Sequence, residues 1–577
     1  MAVTKMNSSK NNGDSKTIDL LIVGAGPVGL TAAVEAKRFG FSVRIVERKK
    51  QRSSHDSRAL VVHSRVMELL ASIQNGAVTN EIEKTAFDLS GITIYLKKRS
   101  CGCFQMENDG DDDSFDRYNV NIKETEWGDT DYPNAYFLPQ YETERILEEA
   151  FNKDGGQVEY GISLDNLTQD CNFVTSTLHN AKDNSTEIVT SKWVLGSDGG
   201  RSKTRDLIGI KLNRLDSDLY FIVADIVFKG DPPISQPLGK GGHIFASNDG
   251  MVAFLPLPGR NAYRFVGEAP TGIQRADQVN MNEDFFEQYL IERTSRRFVV
   301  GLGPWQSIFH ITHGASDSYV NGNVMLAGDA SHVHSPIGAQ GMNLGIQDAN
   351  NLLWKLAWAK RVIEAASTAE EHAEARAAVE TILYSYHSER HALGEELVKS
   401  VELGTRVLAT KSRLVQFLRD TFIRITLRSD RSRNNFRKTA QLDLAYSPKS
   451  SPIIMERTSK TPCVVQPGQR LPNILLEDGS HLYSHIDRVR HTWVFLNFSE
   501  SSPVLSLEAS GARVVILNPA KIGDQVSVPS ISNKAFTAQQ VLFVRPDQFV
   551  AGVGASHEEI LLQLKKTGIN DKALAMM

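Results

Sequence analysis

The chain has 577 residues, 41% hydrophobic and 23% charged, enough for real cores in roughly two to four domains. Its 64 Lys plus Arg against 68 Asp plus Glu give a net charge of −4, which offers no global attraction to nucleic acid and favours small-molecule chemistry. The polar start MAVTKMNSSKNNGDSK has no apolar leader core, and no run of about 18 apolar residues occurs, so a soluble, cytoplasmic protein without stable membrane insertion is expected, with residues 1–17 as a disordered arm. Cys101, Cys103, Cys171 and Cys463 form neither a disulfide framework nor paired zinc spacing, and no metal is expected.

The first predicted element is the apolar run Leu20 to Val23, typical of a parallel strand covered on both faces. A glycine turn follows. Gly24 permits the bend, Gly26 lets backbone approach a pyrophosphate, and Gly29 lets the next helix pack close, with its free N–H groups aimed at the phosphates. That helix runs to about Phe39, Gly40 stops it, and the strand SVRIVE delivers Glu47 about 20 residues past the turn, where an acid binds a ribose hydroxyl and disfavours a 2′-phosphate. Both FAD and NAD fit these residues.

Further along, ENDGDDDSFDR, Glu107 to Arg117, reads as a solvated acidic loop. LPQYETERILEEAFNK has the apolar spacing of an amphipathic helix. The strand in KWVLGSDGGRSKTRDLIGI ends at Asp198 and Gly199, with Arg201, Ser202 and Arg205 opening a helical segment. After Ser217, short aromatic and β-branched stretches broken by Gly and Pro predict an antiparallel sheet. In GNVMLAGDASHVHSPIGAQGMNLGIQDANNLLWKLAWA another strand ends in Gly328 and Asp329. A glycine-bearing turn then leads into a helix whose N-terminus favours negative charge. Residues from about Ser367 to Arg437 read as charged helix, within which Ser412 to Arg433 is basic and amphipathic and is expected to pack on the preceding domain or a subunit interface. The composition of SPKSSPIIMERTSKTP is that of a linker. HTWVFLNF and ARVVILNP predict buried parallel strands of a separately folded last unit.

Together, the segments from Gly24 to Asn343 resemble the flavin-dependent aromatic hydroxylases, the family of para-hydroxybenzoate hydroxylase and phenol hydroxylase. The resemblance implies an α/β fold: a Rossmann-like FAD-binding monooxygenase domain over 18–445 with an inserted antiparallel β substrate domain at about 211–311, a linker over 446–460, and a C-terminal thioredoxin-like domain over 461–577. It places Gly24, Gly26, Gly29, Glu47 and Arg48 on the ADP part of FAD, Arg58 and Gln140 beside the pyrophosphate and ribityl regions, and Asp198 in a stretch shared by FAD and the nicotinamide. Gly328 and Asp329 fall on the ribityl chain, and Gly341, Met342 and Asn343 offer backbone groups to the pyrimidine end. Pro336 would line the oxygen pocket, and Arg201 and Arg205 are the candidates for NADPH or NADH.

The function so implied is hydroxylation of a phenolic or polyketide-like aromatic small molecule by O2 through a flavin C4a-hydroperoxide. Epoxidation, Baeyer–Villiger insertion and a non-catalytic flavin-bound scaffold are the alternatives. A homodimer is an expected association. The acid that phenol hydroxylase places before the next helix falls here on Leu60, so His63 is the first candidate base, with His332 and His334 nearby. Gly338-Ala339 stands where the family usually has two glycines, and the extra methyl constrains that turn. The last unit carries no C-x-x-C, so thiol–disulfide exchange is not available to it.

Overall fold

A computed structural model describes residues 17–53, 59–88, 91–97, 115–121, 127–229, 241–247, 250–257, 261–336, 338–410, 412–427, 437–456, 465–474, 480–486, 493–498, 505–509, 512–517, 541–554 and 556–566. Its first sheet runs in the order Val320–Asn321, Val324–Leu326, Thr186–Gly196, Ile18–Val23, Val43–Glu47, Val158–Tyr160, and two further strands, Val174–Asn180 and Ile162–Gln169, fold off Thr186–Gly196. The four central strands pair in parallel, and both faces are covered: Leu20 and Ile22 are fully buried against helices, and Leu21 against Leu164, Leu167, Val174 and Leu178 of the two strands that fold off the sheet. The helix Pro27–Arg38, the helix Gln140–Lys153 and the long helix Gly341–Glu364 share one apolar core with these strands.

The second sheet has eight strands, and all but one pair are antiparallel. It extends the expected interval of 211–311 at both ends: His332–Val333 closes one side, while Gly91–Lys97 and Phe115–Asn121 complete the other. Ile94 pairs with Ile244 across 150 positions of sequence, and no local pattern announces such a partner. The stretch read as a solvated loop therefore ends in a strand, with Phe115 buried against Phe245; Glu107 to Ser114 lie outside the described residues. One sheet face packs on the helix Glu283–Thr294 through Phe286, Tyr289 and Leu290.

The helical region divides into Ala369–Leu408, opened by a Thr368–Glu371 capping box, and Arg413–Leu427. Arg419 and Arg424 of the second helix reach Leu408 O and Lys97 O, but Leu414, Leu418, Phe422 and Ile425 are 57–69% exposed. The expected packing is thus made by its arginines and not by this apolar stripe. Among the described residues no helix is long and apolar enough to cross a membrane.

The C-terminal sheet runs Leu505–Ala509, Ala512–Leu517, Val494–Phe498, Val541–Val544, Val550–Gly554, and the pairing of Val494–Phe498 with Ala512–Leu517 is parallel as the sequence suggests. The linker reading needs correction over 446–456. Tyr446, Ile453, Ile454 and Met455 are buried with Trp354, Trp358, Trp493 and Phe543 in a core that spans both units. Ser and Pro signal irregular backbone, but the apolar triplet between them is what the fold buries. Residues 457–460 lie outside the described set.

Candidate flavin site

Four strand ends meet at one edge. Val23 is in register with Val46 and with Gly196, and Gly196 with Leu326, so Gly24, Glu47, Asp198 and Asp329 follow from the carboxyl ends of neighbouring parallel strands. Such an edge, where chain connections diverge, is where open α/β sheets bind ligands.

The glycines of the first turn divide their work. Gly24 has φ +101°, and a Cβ there would lie 2.5 Å from Ser197 O. At Gly29 a Cβ would meet Gly24 O at 2.0 Å and Ser197 Oγ at 2.7 Å, so this position lets the helix reach the strand. A Cβ on Gly26 would meet nothing within 4 Å. Gly26 caps the helix without a side-chain hydrogen bond and Pro27 follows, so no side chain of the cap covers the first-turn N–H groups of this 12-residue helix, the arrangement that suits an anion. Ser197, which the sequence reading missed, donates its hydroxyl to Val23 O at 3.0 Å and Gly24 O at 2.9 Å and braces the turn. Its only signal is its place before Asp198-Gly199.

Glu47 accepts from the N–H of Ala25 at 2.9 Å and of Lys49 at 3.0 Å, which holds its carboxylate beside the turn; Arg48 is exposed next to it. Gln140 opens its helix, accepts from Ala59 N at 3.3 Å and donates to Glu144 at 2.8 Å. Burial pushes the Glu144 carboxyl up to about 7 despite Gln140 and Lys49. Arg58 lies outside the described residues.

Two of the expected cofactor contacts are otherwise engaged. Asp198 accepts from Ser202 Oγ at 2.5 Å, Thr204 N at 3.0 Å and Thr204 Oγ1 at 3.1 Å, so its carboxylate fixes its own turn. Arg205 is buried and donates to Ala330 O at 3.0 Å and Gly200 O at 3.1 Å. It is a bracket between two loops, because a guanidinium taken out of water needs those carbonyls, and it offers no open fork to a nicotinamide phosphate. Arg201 is exposed, as is Asp329, which sits on the single turn Gly328–Ala330.

Gly341, Met342 and Asn343 form the first turn of a 24-residue helix that also lacks a side-chain cap. The Asn343 side chain, fully buried, accepts from His63 N at 2.8 Å and donates to Val61 O at 2.8 Å and Ala339 O at 2.9 Å. His63 completes this tie with Nε2 at 3.2 Å from Gly338 O, and burial pushes its imidazole down to about 4. A carbonyl only accepts, so Nε2 carries the ring proton and braces the loop, and Nδ1 is the nitrogen left to act as a base. Of the other two candidates, His332 is buried with Nε2 at 2.8 Å from Asp348, and burial pushes His334 to about 4 with Nδ1 at 2.8 Å from Ser335 O; the buried His332 Nδ1 and His334 Nε2 have no hydrogen-bond partner among the described residues.

Pro336, half-buried, accepts from Ala339 N at 2.9 Å. Gly338 and Ala339 have φ of +80° and +52°, so the alanine occupies a conformation that favours glycine, and its methyl packs on the apolar cluster of Leu60, Val61, Phe137 and Leu257. Leu60 is thus part of an apolar wall.

On the face of the second sheet opposite the Phe286 core lies a buried ion pair that sequence reasoning also missed. Arg264 donates to both oxygens of its register partner Asp225, at 2.8 and 3.1 Å, and its guanidinium stands 5.1 Å from the centre of the Trp305 ring. Burial, then the charges of Glu142 and Asp225, raise the hydroxyl pKa of Tyr141, which places this pair near the Gln140–Lys153 helix.

Comparison with known proteins identifies the family and the fold. The family model described as FAD binding domain matches residues 17–401. An uncharacterized aromatic compound monooxygenase of Bacillus subtilis (strain 168) is 28% identical over 539 residues, 92% of this chain and 93% of that protein. Pentachlorophenol 4-monooxygenase of Sphingobium chlorophenolicum is 30% identical over 393 residues, 67% of this chain and 64% of that protein. The anhydrotetracycline hydroxylase from Streptomyces rimosus superimposes with a TM-score of 0.67 at 24% identity, over 96% of this chain and 99% of that one.

Proposed function

We propose, from the premise that this chain belongs to the FAD-binding-domain family and is an FAD-dependent monooxygenase, that it hydroxylates a phenolic or polyketide-like aromatic compound with O2 and NADPH or NADH. The observation that carries the reading is the meeting of four strand ends with two helix N-termini that no side chain caps. The activities named for the Sphingobium and Streptomyces proteins support an aromatic substrate and give no precedence to epoxidation, Baeyer–Villiger insertion or a scaffold role.

When bound, FAD reduced by the nicotinamide supplies oxygen activation, one atom going to an electron-rich ring carbon and the other to water. The residues of the chain bind and orient. The Gly24–Gly29 turn takes the pyrophosphate and Glu47 the ribose, with Arg48, Arg58 and Gln140 alongside. Asp329 takes the ribityl hydroxyls, and the N–H groups of Gly341, Met342 and Asn343 face the pyrimidine edge. Pro336 and the Leu60 wall exclude water where oxygen reacts. Arg201 is the candidate for nicotinamide phosphate. The C-terminal sheet is read as thioredoxin-like, the association as a homodimer and the location as cytoplasmic.

The purified protein should be yellow, and substrate-stimulated oxygen uptake with a panel of phenols should follow flavin bleaching by NADPH or NADH. Product mass should show one added oxygen without ring opening. Asp329→Ala should weaken FAD binding by about 1.5–3 kcal/mol, the worth of a charged hydrogen bond. A folded protein that cannot be reconstituted with FAD would end this reading.

A further inference from the structure

The unit beyond Tyr446 meets the flavin domain through Arg470, which donates to Glu68 at 2.9 Å and to Asp129, and through a turn, Arg545 to Gln548, closed by Gln548 N donating to Arg545 O at 2.9 Å. Two polar chains leave this turn, and both end on the loops assigned to the cofactor.

The first begins at Arg545, which donates to both oxygens of Glu389 at 2.7 and 2.9 Å and to both oxygens of Asp547 at 2.9 and 2.6 Å. Asn351 joins Asp547 to the Tyr446 hydroxyl, with its amide nitrogen 3.1 and 3.2 Å from them. That hydroxyl accepts from Arg390 at 3.1 Å, and Arg390 donates onward to Asp348 at 2.7 Å. The other oxygen of Asp348 receives Gly328 N at 3.0 Å and lies 2.8 Å from His332 Nε2. Gly328 and His332 bound the turn that carries Asp329.

The second chain is shorter. Arg65 donates to Asp547 O at 2.5 Å and to Gln548 Oε1 at 2.7 Å. It follows His63 by two residues, and His63 ties both Asn343 and Gly338. Arg65, Arg390, Arg545, Glu389 and Asp348 are buried to 1% exposure or less. Glu389 also holds Lys355 at 2.8 Å and Arg65 also holds Glu68 at 2.8 Å, so displacement of the turn would strip each of part of its buried set, Glu389 of Arg545 and Arg65 of two acceptors, and force the remainder to readjust.

We infer that the Arg545–Gln548 turn is a positioning element for the flavin: it sets the Gly328–His332 loop through Tyr446, Arg390 and Asp348, and the Gly338–Asn343 loop through Arg65 and His63. The C-terminal unit thereby takes part in building the cofactor site from behind the two loops. This inference rests on the assignment of those two loops to FAD.

The test uses full-length protein, with FAD affinity read by flavin fluorescence and the environment of the flavin by its visible absorption bands. Tyr446→Phe deletes the hydroxyl joint of the first chain and little volume. Gln548→Gly deletes the side-chain acceptor of the second, leaving Asp547 O, while easing a residue at φ +65°, so the turn itself is not strained. Trp493→Phe is the control, because it removes packing at the same junction but no member of either chain. The first two variants should each raise the Kd for FAD by about fivefold and shift the visible bands, while Trp493→Phe lowers Tm with Kd and spectrum unchanged. If Tyr446→Phe and Gln548→Gly both leave Kd and spectrum as in the unsubstituted protein, the unit merely packs and the inference is overturned. If the unsubstituted protein itself binds no FAD, it is the assignment of the loops that fails.

Discussion

Alanine at Gly26 or at Gly29 adds the same methyl to the same turn, and the two substitutions should fail in different ways. At Gly29 the new carbon would lie 2.0 Å from Gly24 O and 2.7 Å from Ser197 Oγ. Non-bonded heavy atoms rest near about 3.5 Å, so the helix must retreat by more than about 1 Å. Overpacking of that kind costs about 1–3 kcal/mol, and the cost appears before any ligand is added. At Gly26 the carbon meets nothing within 4 Å. The FAD-free Gly26→Ala protein should therefore stay within about 1 kcal/mol of the unsubstituted one, the small difference between Gly and Ala at a helix cap. Its defect should lie in binding, because the methyl occupies the approach of the pyrophosphate to the first-turn N–H groups; the Kd for FAD should rise about tenfold or more. Thermal unfolding of both flavin-free proteins, followed by fluorescence titration with FAD, separates the two effects. Gly26→Ala with unchanged FAD affinity would refute the placement of the pyrophosphate, and Gly29→Ala with unchanged Tm would refute the close approach of helix and strand.

Three other outcomes follow from buried groups. His63 and His334 are held near 4, so between about pH 6.5 and 4 the unfolded chain binds protons that the folded chain refuses. Stability should fall as pH drops through that window and be indifferent to these groups above it. His63→Gln should flatten the fall of Tm with acid, and an identical pH profile would contradict the assignment. Arg205→Ala should lower Tm, since Ala330 O and Gly200 O lose a buried donor worth about 1–3 kcal/mol, without changing the ratio of kcat/KM for NADPH over NADH; Arg201→Ala should do the reverse. Arg264→Met alone should destabilise by about 3–5 kcal/mol by stranding Asp225, and the double change Arg264→Met with Asp225→Leu should recover most of it in denaturant midpoints.

Residues adjacent in sequence carry most of what could be read without coordinates. The turn from Gly24 to Gly29, the helix that Gly40 ends, Glu47 at the end of its strand and the helix opening at Gly341 are all set by local spacing, because a glycine, a cap or an apolar period acts on its immediate neighbours. The same local reading erred where a side chain's partner is remote. Arg205 looked like a phosphate fork until Ala330, 125 positions away, took its guanidinium. Nothing near His63 in sequence shows that Gly338, 275 positions away, engages its Nε2 and makes the residue a tie between loops. SPKSSPIIMERTSKTP looked like a free linker, yet Ile453 to Met455 fill a core shared by both units, and Arg545 crosses 156 positions to reach Glu389. The sequence by itself determined which backbone would offer its N–H groups to a dinucleotide. Only the tertiary structure decided which charged side chains remain open to a ligand, because in a dry interior a charge belongs to whatever partner the fold brings to it.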